Sequence, residues 1–144
     1  MSKEEFKIRF NKGKDAIKKV LNEIIFDEKP YMILGGEIGC ILFEKENMRF
    51  VHLANKLKIK ARVLTAKAGE LFVGKYEEIR FIPYRSSYSI YIWNNKVAYI
   101  FWHEPYFSLV IHNKTLYENH KNLFDLLWDQ ATIPKKGEVK IIDS

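Results

Sequence analysis

Phe6, Ile8 and Phe10 alternate with Lys7 and Arg9, the period-two pattern of a half-buried strand. From Lys14 onward, Ile17, Val20, Leu21 and Ile24 recur at helical spacing among charged residues, predicting an amphipathic helix that ends near Asp27 to Pro30. Tyr31 to Leu34 is an apolar run closed by Gly35 and Gly36, which predicts a central strand buried on both faces. Phe50, Leu53, Ala54 and Leu57 stand at i, i+3, i+4 and i+7, so Glu44 to Leu57 is expected to be a second helix. It leads into a strand over Ala61 to Ala66, and a strand, helix, strand unit implies a parallel pair.

Glu78 to Ile82 is a short strand stopped by Pro83. After it the pattern changes. Ser87 to Trp93, Lys96 to Trp102 and Phe107 to His112 are closely spaced β-rich runs, and Asn94 and Asn95 supply residues that tolerate the positive φ of a tight hairpin. An antiparallel meander follows. Thr115 and Glu118 have capping-box spacing, and behind them Leu116, His120, Leu123, Phe124, Leu127, Trp128 and Ala131 form one apolar stripe on a long final helix. Pro134 ends it. The expected organisation is one domain over 1–131 and a tail over 132–144, with an edge strand around Val139 to Ile142. The fold class is α/β, a mixed sheet flanked by helices with a C-terminal antiparallel meander and a final long helix.

The chain has 144 residues, of which 47% are hydrophobic and 15% aromatic, enough to fill a single core. No apolar run is long enough to cross a bilayer and the first ten residues lack a secretory apolar block, so a cytoplasmic location and no membrane partner are expected. Cys40 is the only cysteine, which excludes an internal disulfide and a cysteine-based metal cluster and predicts a buried thiol. The formal charge is +6. Its lysines, among them Lys12, Lys14, Lys18, Lys19, Lys56, Lys58, Lys60, Lys67, Lys135, Lys136 and Lys140, are spread along the chain. That distribution, rich in Lys, Glu and Ile, suits solubility and ion-pair networks of a heat-adapted protein better than one nucleic-acid face.

Candidate chemistry is sparse. His52, His103, His112 and His120 form no zinc-hydrolase pair, and His120 and His52 are read as core histidines. No metal and no cofactor are expected. Gly35, Gly36 and Gly39 lack the spacing of a phosphate-binding fingerprint, and Glu37 would repel an anion there. His112 and Lys114 match the start of a phospholipase D type motif, but the acid position holds Asn119, which leaves the imidazole without its orienting carboxylate. Tyr88, Tyr91, Trp93, Tyr99, Phe101, Trp102, Tyr106 and Phe107 load both faces of the meander with rings, the makings of a two-sided core or a homodimer face.

Ile92 to Trp102, with Pro105, Ile111, Lys114 and the ending Leu123, Phe124, Leu127, Trp128 and Ala131, resembles the C-terminal effector domain of archaeal TrmB-type transcriptional regulators. Phe10 to Ile25 is similar to the opening of that domain, and Glu78 to Pro83 to the strand before its hairpin. The resemblance implies a phospholipase D-like fold that generally lacks the catalytic triad and instead senses a small molecule or forms dimers beside a winged helix-turn-helix. With Asn94 at the aspartate position, Ser87 and Ser89 fall at the histidine and lysine positions, so the three catalytic groups are absent. The family's DNA-reading module precedes its effector domain, and Met1 here begins directly in the effector-like part. A stand-alone effector domain or a piece of a longer regulator both satisfy this, and direct DNA binding is not expected of either.

These readings converge on a non-enzymatic effector domain that binds a small ligand or a protein partner and pairs as a homodimer. The open α/β rule places a ligand at the C-terminal strand ends. The expected lining is Gly35, Gly36 and Glu37 after one strand, Lys67 after the next, and Tyr84, Arg85, Ser87 and Ser89 near the third. The alternatives are a basic nucleic-acid binder using Lys56 to Lys60 with the meander aromatics, and a residual phosphodiesterase using His112 and Lys114.

Overall fold

The computed structural model describes residues 4–144, apart from the side chains of Ile38 and Cys40; the expectation of a buried Cys40 thiol lies outside the described residues. β1 (Lys7–Lys12) leads into α1 (Lys14–Asp27), then β2 (Tyr31–Leu34), the short α2 (Glu37–Leu42), α3 (Glu44–Leu57) and β3 (Ala61–Thr65). β4 (Leu71–Gly74) and β5 (Glu77–Phe81) precede the meander of β6 (Tyr88–Trp93), β7 (Lys96–Phe101) and β8 (Phe107–His112). α4 (Lys114–Gln130) and β9 (Val139–Ile142) complete the chain.

Seven strands form one mixed sheet in the order β1-β8-β7-β6-β2-β3-β5. β2, β3 and β5 run parallel, as the strand, helix, strand reading expected, while β6 joins β2 antiparallel. The register pairs Leu34 with Leu64, Leu64 with Arg80 and Leu34 with Ile90. It therefore brings the C-terminal ends of the parallel strands to one edge of the sheet, beside the start of β6. Asn94 and Asn95 take φ 43° and 59° in the β6–β7 hairpin, the left-handed pair that a two-residue turn needs.

Strand alternation divides the core into two layers. Tyr31, Ile33, Val63, Tyr91, Trp93, Ala98 and Ile100 face α1 and α3, where Ile17, Val20, Leu21, Ile24, Phe50 and Val51 meet them. Met32, Leu64 and Ile92 face the other way, onto Phe124 and Trp128 of α4. Trp93 and Trp102 are fully buried, and each such ring contributes about 4–6 kcal/mol of gross apolar burial before its ordering cost.

Several expectations need correction. β1 forms, but its apolar side chains are not half-buried: Ile8 and Phe10 are more than half exposed, because β1 is an outer strand and α4 packs over β2, β6 and β7 instead. α2 was not foreseen; it carries Gly39 in its interior and is held by Asn47, whose Nδ2 donates to the Gly39 and Phe43 carbonyls at 3.0 and 3.1 Å. The cap of α4 is Asn113, accepting from the Leu116 amide at 2.9 Å, and the Thr115 hydroxyl and amide both donate to Glu4. His52 is exposed and meets the Ser144 carbonyl, so it is no core histidine. His120 is hydrogen-bonded at both nitrogens, to the Leu116 carbonyl at 3.0 Å and the Tyr99 hydroxyl at 2.7 Å. Since a carbonyl only accepts, Nδ1 is the donor to Leu116.

The segment 132–144, expected as a tail with an edge strand around Val139 to Ile142, forms that strand as β9 and is stitched to the body. β9 pairs in parallel with β4, a strand absent from the sequence reading, Thr132 bridges Phe81, and Ile142 joins the α1/α3 core. Among the described residues no helix is long and apolar enough to cross a membrane.

Candidate ligand site at the strand ends

Gly35 closes β2 with φ +86°, and a Cβ there would come within 2.9 Å of the Tyr88 carbonyl. Only glycine permits β6 to start so close to the end of β2. The same approach brings Ser89 to the turn: its hydroxyl donates to the Gly35 carbonyl at 2.5 Å and accepts from the Trp102 indole at 2.7 Å. Both side chains are fully buried. The Trp102 ring lies flush over Gly39, where an added Cβ would be 3.1 Å from it, and 5.3 Å from the Phe43 ring. The Ser89 hydroxyl, the Trp102 indole N–H and the Gly35 carbonyl all have partners, and the indole packs beneath the strand ends.

Glu37 is buried beside this plug. Its amide donates to the Thr65 hydroxyl at 3.1 Å, and that hydroxyl donates back to the Glu37 carboxylate. The other carboxylate oxygen, Oε1, has no partner among the described residues. Glu37 lines a cavity of about 30 Å³ between α3 and the sheet, together with Asn47, Thr65 and Glu77. Such a volume suits roughly one or two water molecules and is an order of magnitude below a metabolite pocket. Burial pushes the Glu77 carboxyl up, against the opposing hydrogen bonds of the Gly74 amide and the Tyr31 hydroxyl. Burial, and then the nearby Glu77 charge, push the Tyr31 hydroxyl well up, so it stays a neutral donor.

The remaining expected lining residues form an open rim. Lys67 pairs with Glu138 at 2.8 Å and stands over the Phe81 ring at 5.6 Å. Arg85 reaches the Lys67 carbonyl at 3.4 Å, and Tyr84 and Ser87 are exposed. The eight residues thus divide into a sealed interior of Gly35, Glu37 and Ser89, with Gly36 at its boundary, and an outer rim of Lys67, Tyr84, Arg85 and Ser87. At this end of the sheet, a ligand larger than water has room on the rim and not in the interior.

From Ser87 a row of rings continues across the sheet. Tyr88 stacks on Phe101 at 6.0 Å, Phe101 on Phe107 at 4.6 Å, and Phe107 meets Phe10 at 5.5 Å. His103 closes on Phe101 at 5.0 Å. The strand registers place Phe10, Phe107, Phe101 and Tyr88 on the α4 side of the sheet at its uncovered end. Reading the meander one strand at a time shows the rings but not that they form a single row. Trp102 and Thr65 were missed as site residues altogether, because each acts through a partner more than ten positions away in sequence.

His112 and Lys114 do not share an acid: His112 is 3.8 Å from Glu5, and Lys114 is 4.0 Å from Glu118. No group of three His, Cys, Asp or Glu side chains suited to a metal is present among the described residues.

No protein-family model matches the chain, and no curated protein matches it in sequence. Among solved structures it is similar to NucT from Helicobacter pylori, with a TM-score of 0.63 and 10% identity over 90% of this chain and 100% of that one. It is also similar to TrmBL2, an archaeal chromatin protein whose structure shows a novel mode of DNA binding, with a TM-score of 0.61 and 13% identity over 88% of this chain. The match covers 54% of the TrmBL2 chain, so this chain spans about half the length of that protein. At these identities the likeness is one of fold: a mixed sheet flanked by helices, shared in part with a TrmB-like protein.

Proposed function

We propose that this chain is a non-catalytic effector domain of the transcription-regulator type, with a phospholipase D-like arrangement, which binds a ligand or partner at the rim of the strand ends and pairs with a second copy. The observation that carries the reading is the Gly35, Ser89 and Trp102 plug. At the positions where the TrmB-type resemblance would set a catalytic histidine and lysine stand Ser87 and Ser89. Ser89 is committed to the Gly35 carbonyl and the indole. Phosphodiester chemistry needs a nucleophile or base in reach of substrate, and a fully buried hydroxyl beneath an indole supplies neither.

Binding is favoured at the rim because Arg85, Ser87, Tyr84 and the half-exposed rings present a cation, hydroxyls and apolar area together, the mixture found in ligand sites. Pairing is supported by β1, an outer strand with Ile8 and Phe10 exposed beside the aromatic row. Its Arg9 is neutralised by Glu23 at 2.8 Å and its Lys7 by Glu5 at 3.1 Å. An outer strand of this kind can pair antiparallel with its own copy about a two-fold axis.

The test is a thermal-shift screen of sugars, nucleotides and amino acids on the wild type and on Arg85→Ala, together with a phosphodiesterase assay. Stabilisation by one class that is lost in Arg85→Ala, without turnover of bis(p-nitrophenyl) phosphate, is the expected result. Turnover abolished by His112→Ala overturns the non-catalytic reading.

A further inference from the structure

At the opposite end of the sheet, beside the N-terminal ends of the parallel strands, α4 and the β4–β5 turn enclose a groove of about 510 Å³. We propose that this groove binds nucleoside phosphates. The inference goes beyond the effector reading and stands on different residues. Lys60 lies just before β3, Lys75 and Tyr76 form the β4–β5 turn, and Tyr117 and Lys121 project from α4. Three separate segments thus deliver ammonium groups to one concavity, with the Tyr76 and Tyr117 rings among its walls.

The charges do not cancel. Lys60, Lys75 and Lys121 make no ion pair with any described carboxylate. Arg62, also in the groove, is held by Asp125 at 2.7 Å and lies over the Phe124 and Trp128 rings at 5.1 and 5.5 Å, so it braces the wall. Two carboxyls line the groove. Glu77 is engaged by the Gly74 amide at 2.7 Å and the Tyr31 hydroxyl at 3.1 Å, which leaves Glu78 as the opposing group. Three unpaired ammonium groups around a concave surface repel one another and focus a field that an anion relieves.

Size and rings narrow the class of anion. The volume lies within the roughly 300–1,000 Å³ of small-molecule sites, more than a lone phosphate needs, and Tyr76 and Tyr117 offer π faces on which a base can stack. The Lys75 ammonium is 5.7 Å from the Tyr76 ring centroid, so charge and stacking surface are adjacent, as a phosphate joined to a base requires. A nucleoside phosphate can arrive as a free mononucleotide or within a single strand, and both present the same chemistry.

The experiment measures binding of AMP by calorimetry and of a fluorescein-labelled oligo-dT by anisotropy at low salt, using the full chain. The variants are Lys75→Glu with Lys121→Glu, Tyr76→Ala, and a control of equal charge change elsewhere, Lys18→Glu with Lys140→Glu. All four lysines are exposed, so the fold is retained. The groove double variant is expected to weaken binding by at least roughly tenfold, Tyr76→Ala by roughly tenfold, and the control by less than about twofold. Binding of AMP identifies a free nucleotide, and binding of the oligonucleotide alone identifies single-stranded nucleic acid; either sustains the proposal. Absence of binding by both probes, equal losses in groove and control variants, or full affinity in Tyr76→Ala overturns it and leaves the effector reading untouched.

Discussion

The indole N–H of Trp102 donates to the hydroxyl of Ser89 at 2.7 Å, with both side chains fully buried. This contact joins the loop after β7 to the start of β6, and through the Gly35 carbonyl to the end of β2. Trp102→Phe keeps most of the packing but removes the donor, and is expected to cost about 1–2 kcal/mol. Trp102→Ala opens a cavity over Gly39 and is expected to cost about 3–5 kcal/mol. Urea unfolding measures both. A cost below about 1 kcal/mol for the alanine variant would contradict a packed plug.

Pairing through β1 makes a separate prediction. Phe10 is about half exposed and meets the Phe107 ring, so Phe10→Glu is expected to cost the monomer about 0.5–1.5 kcal/mol while placing a charge in the aromatic row. Sedimentation velocity should show the wild type as a dimer and the variant shifted to monomer. An unchanged sedimentation coefficient would remove β1 from the interface.

Asp27 receives three hydrogen bonds on one oxygen, from Trp93 at 2.9 Å, Asn94 at 3.1 Å and Lys96 at 2.7 Å. Burial alone would raise its carboxyl, but the bonds from Lys96, Asn94 and Trp93 outweigh burial and hold it below its usual value. A depressed carboxyl contributes stability that is complete above the ordinary range near about 4 and is lost as pH falls through the folded-state value. Asp27→Asn is therefore expected to be less stable than wild type by about 1–3 kcal/mol at pH 7. That gap should close in acid melts below about pH 4. A gap that is flat with pH would assign the loss to packing.

The ammonium of the same network, Lys96, shifts the other way. Burial would lower it, yet the hydrogen bonds and charges of Asp27 and Glu23 raise it. Its contribution is complete below the ordinary lysine value of about 10.4 and is lost only as pH rises through its higher folded value. Lys96→Met should remove the part of the alkaline loss that lies above about pH 10.4. Melting temperatures across pH 9 to about 11.5 check this.

Removal of residues 139–144 should lower the melting temperature by about 5–10 °C. It strips β9 from β4, takes Ile142 from the core and leaves the Asn55 Nδ2 without the Ile142 carbonyl it reaches at 2.7 Å. Calorimetry of the truncated chain tests it. No change would make 139–144 dispensable for stability.

Much of the local structure was legible in the letters. Ile17, Val20, Leu21 and Ile24 marked α1, the Tyr31 to Leu34 run marked a two-faced central strand, and Asn94 with Asn95 marked the hairpin, because period and turn chemistry are properties of neighbours in sequence.

What the tertiary structure alone decided is how distant segments meet. α2 carries a weak local signal and exists because Asn47 and Trp102 close upon it. The exposure of Ile8 and Phe10 was set by where α4 comes to rest, not by the alternation of β1. Of the residues expected at the strand ends, Glu37 and Ser89 were sealed inside by Thr65 and Trp102, and Lys67 was claimed by Glu138. Lys60, Lys75 and Lys121 look like scattered surface charge along the chain and become one groove in space. Periodicity reports which face of an element is apolar, whereas the partner that covers that face, or leaves it bare, is chosen by packing across the whole sheet.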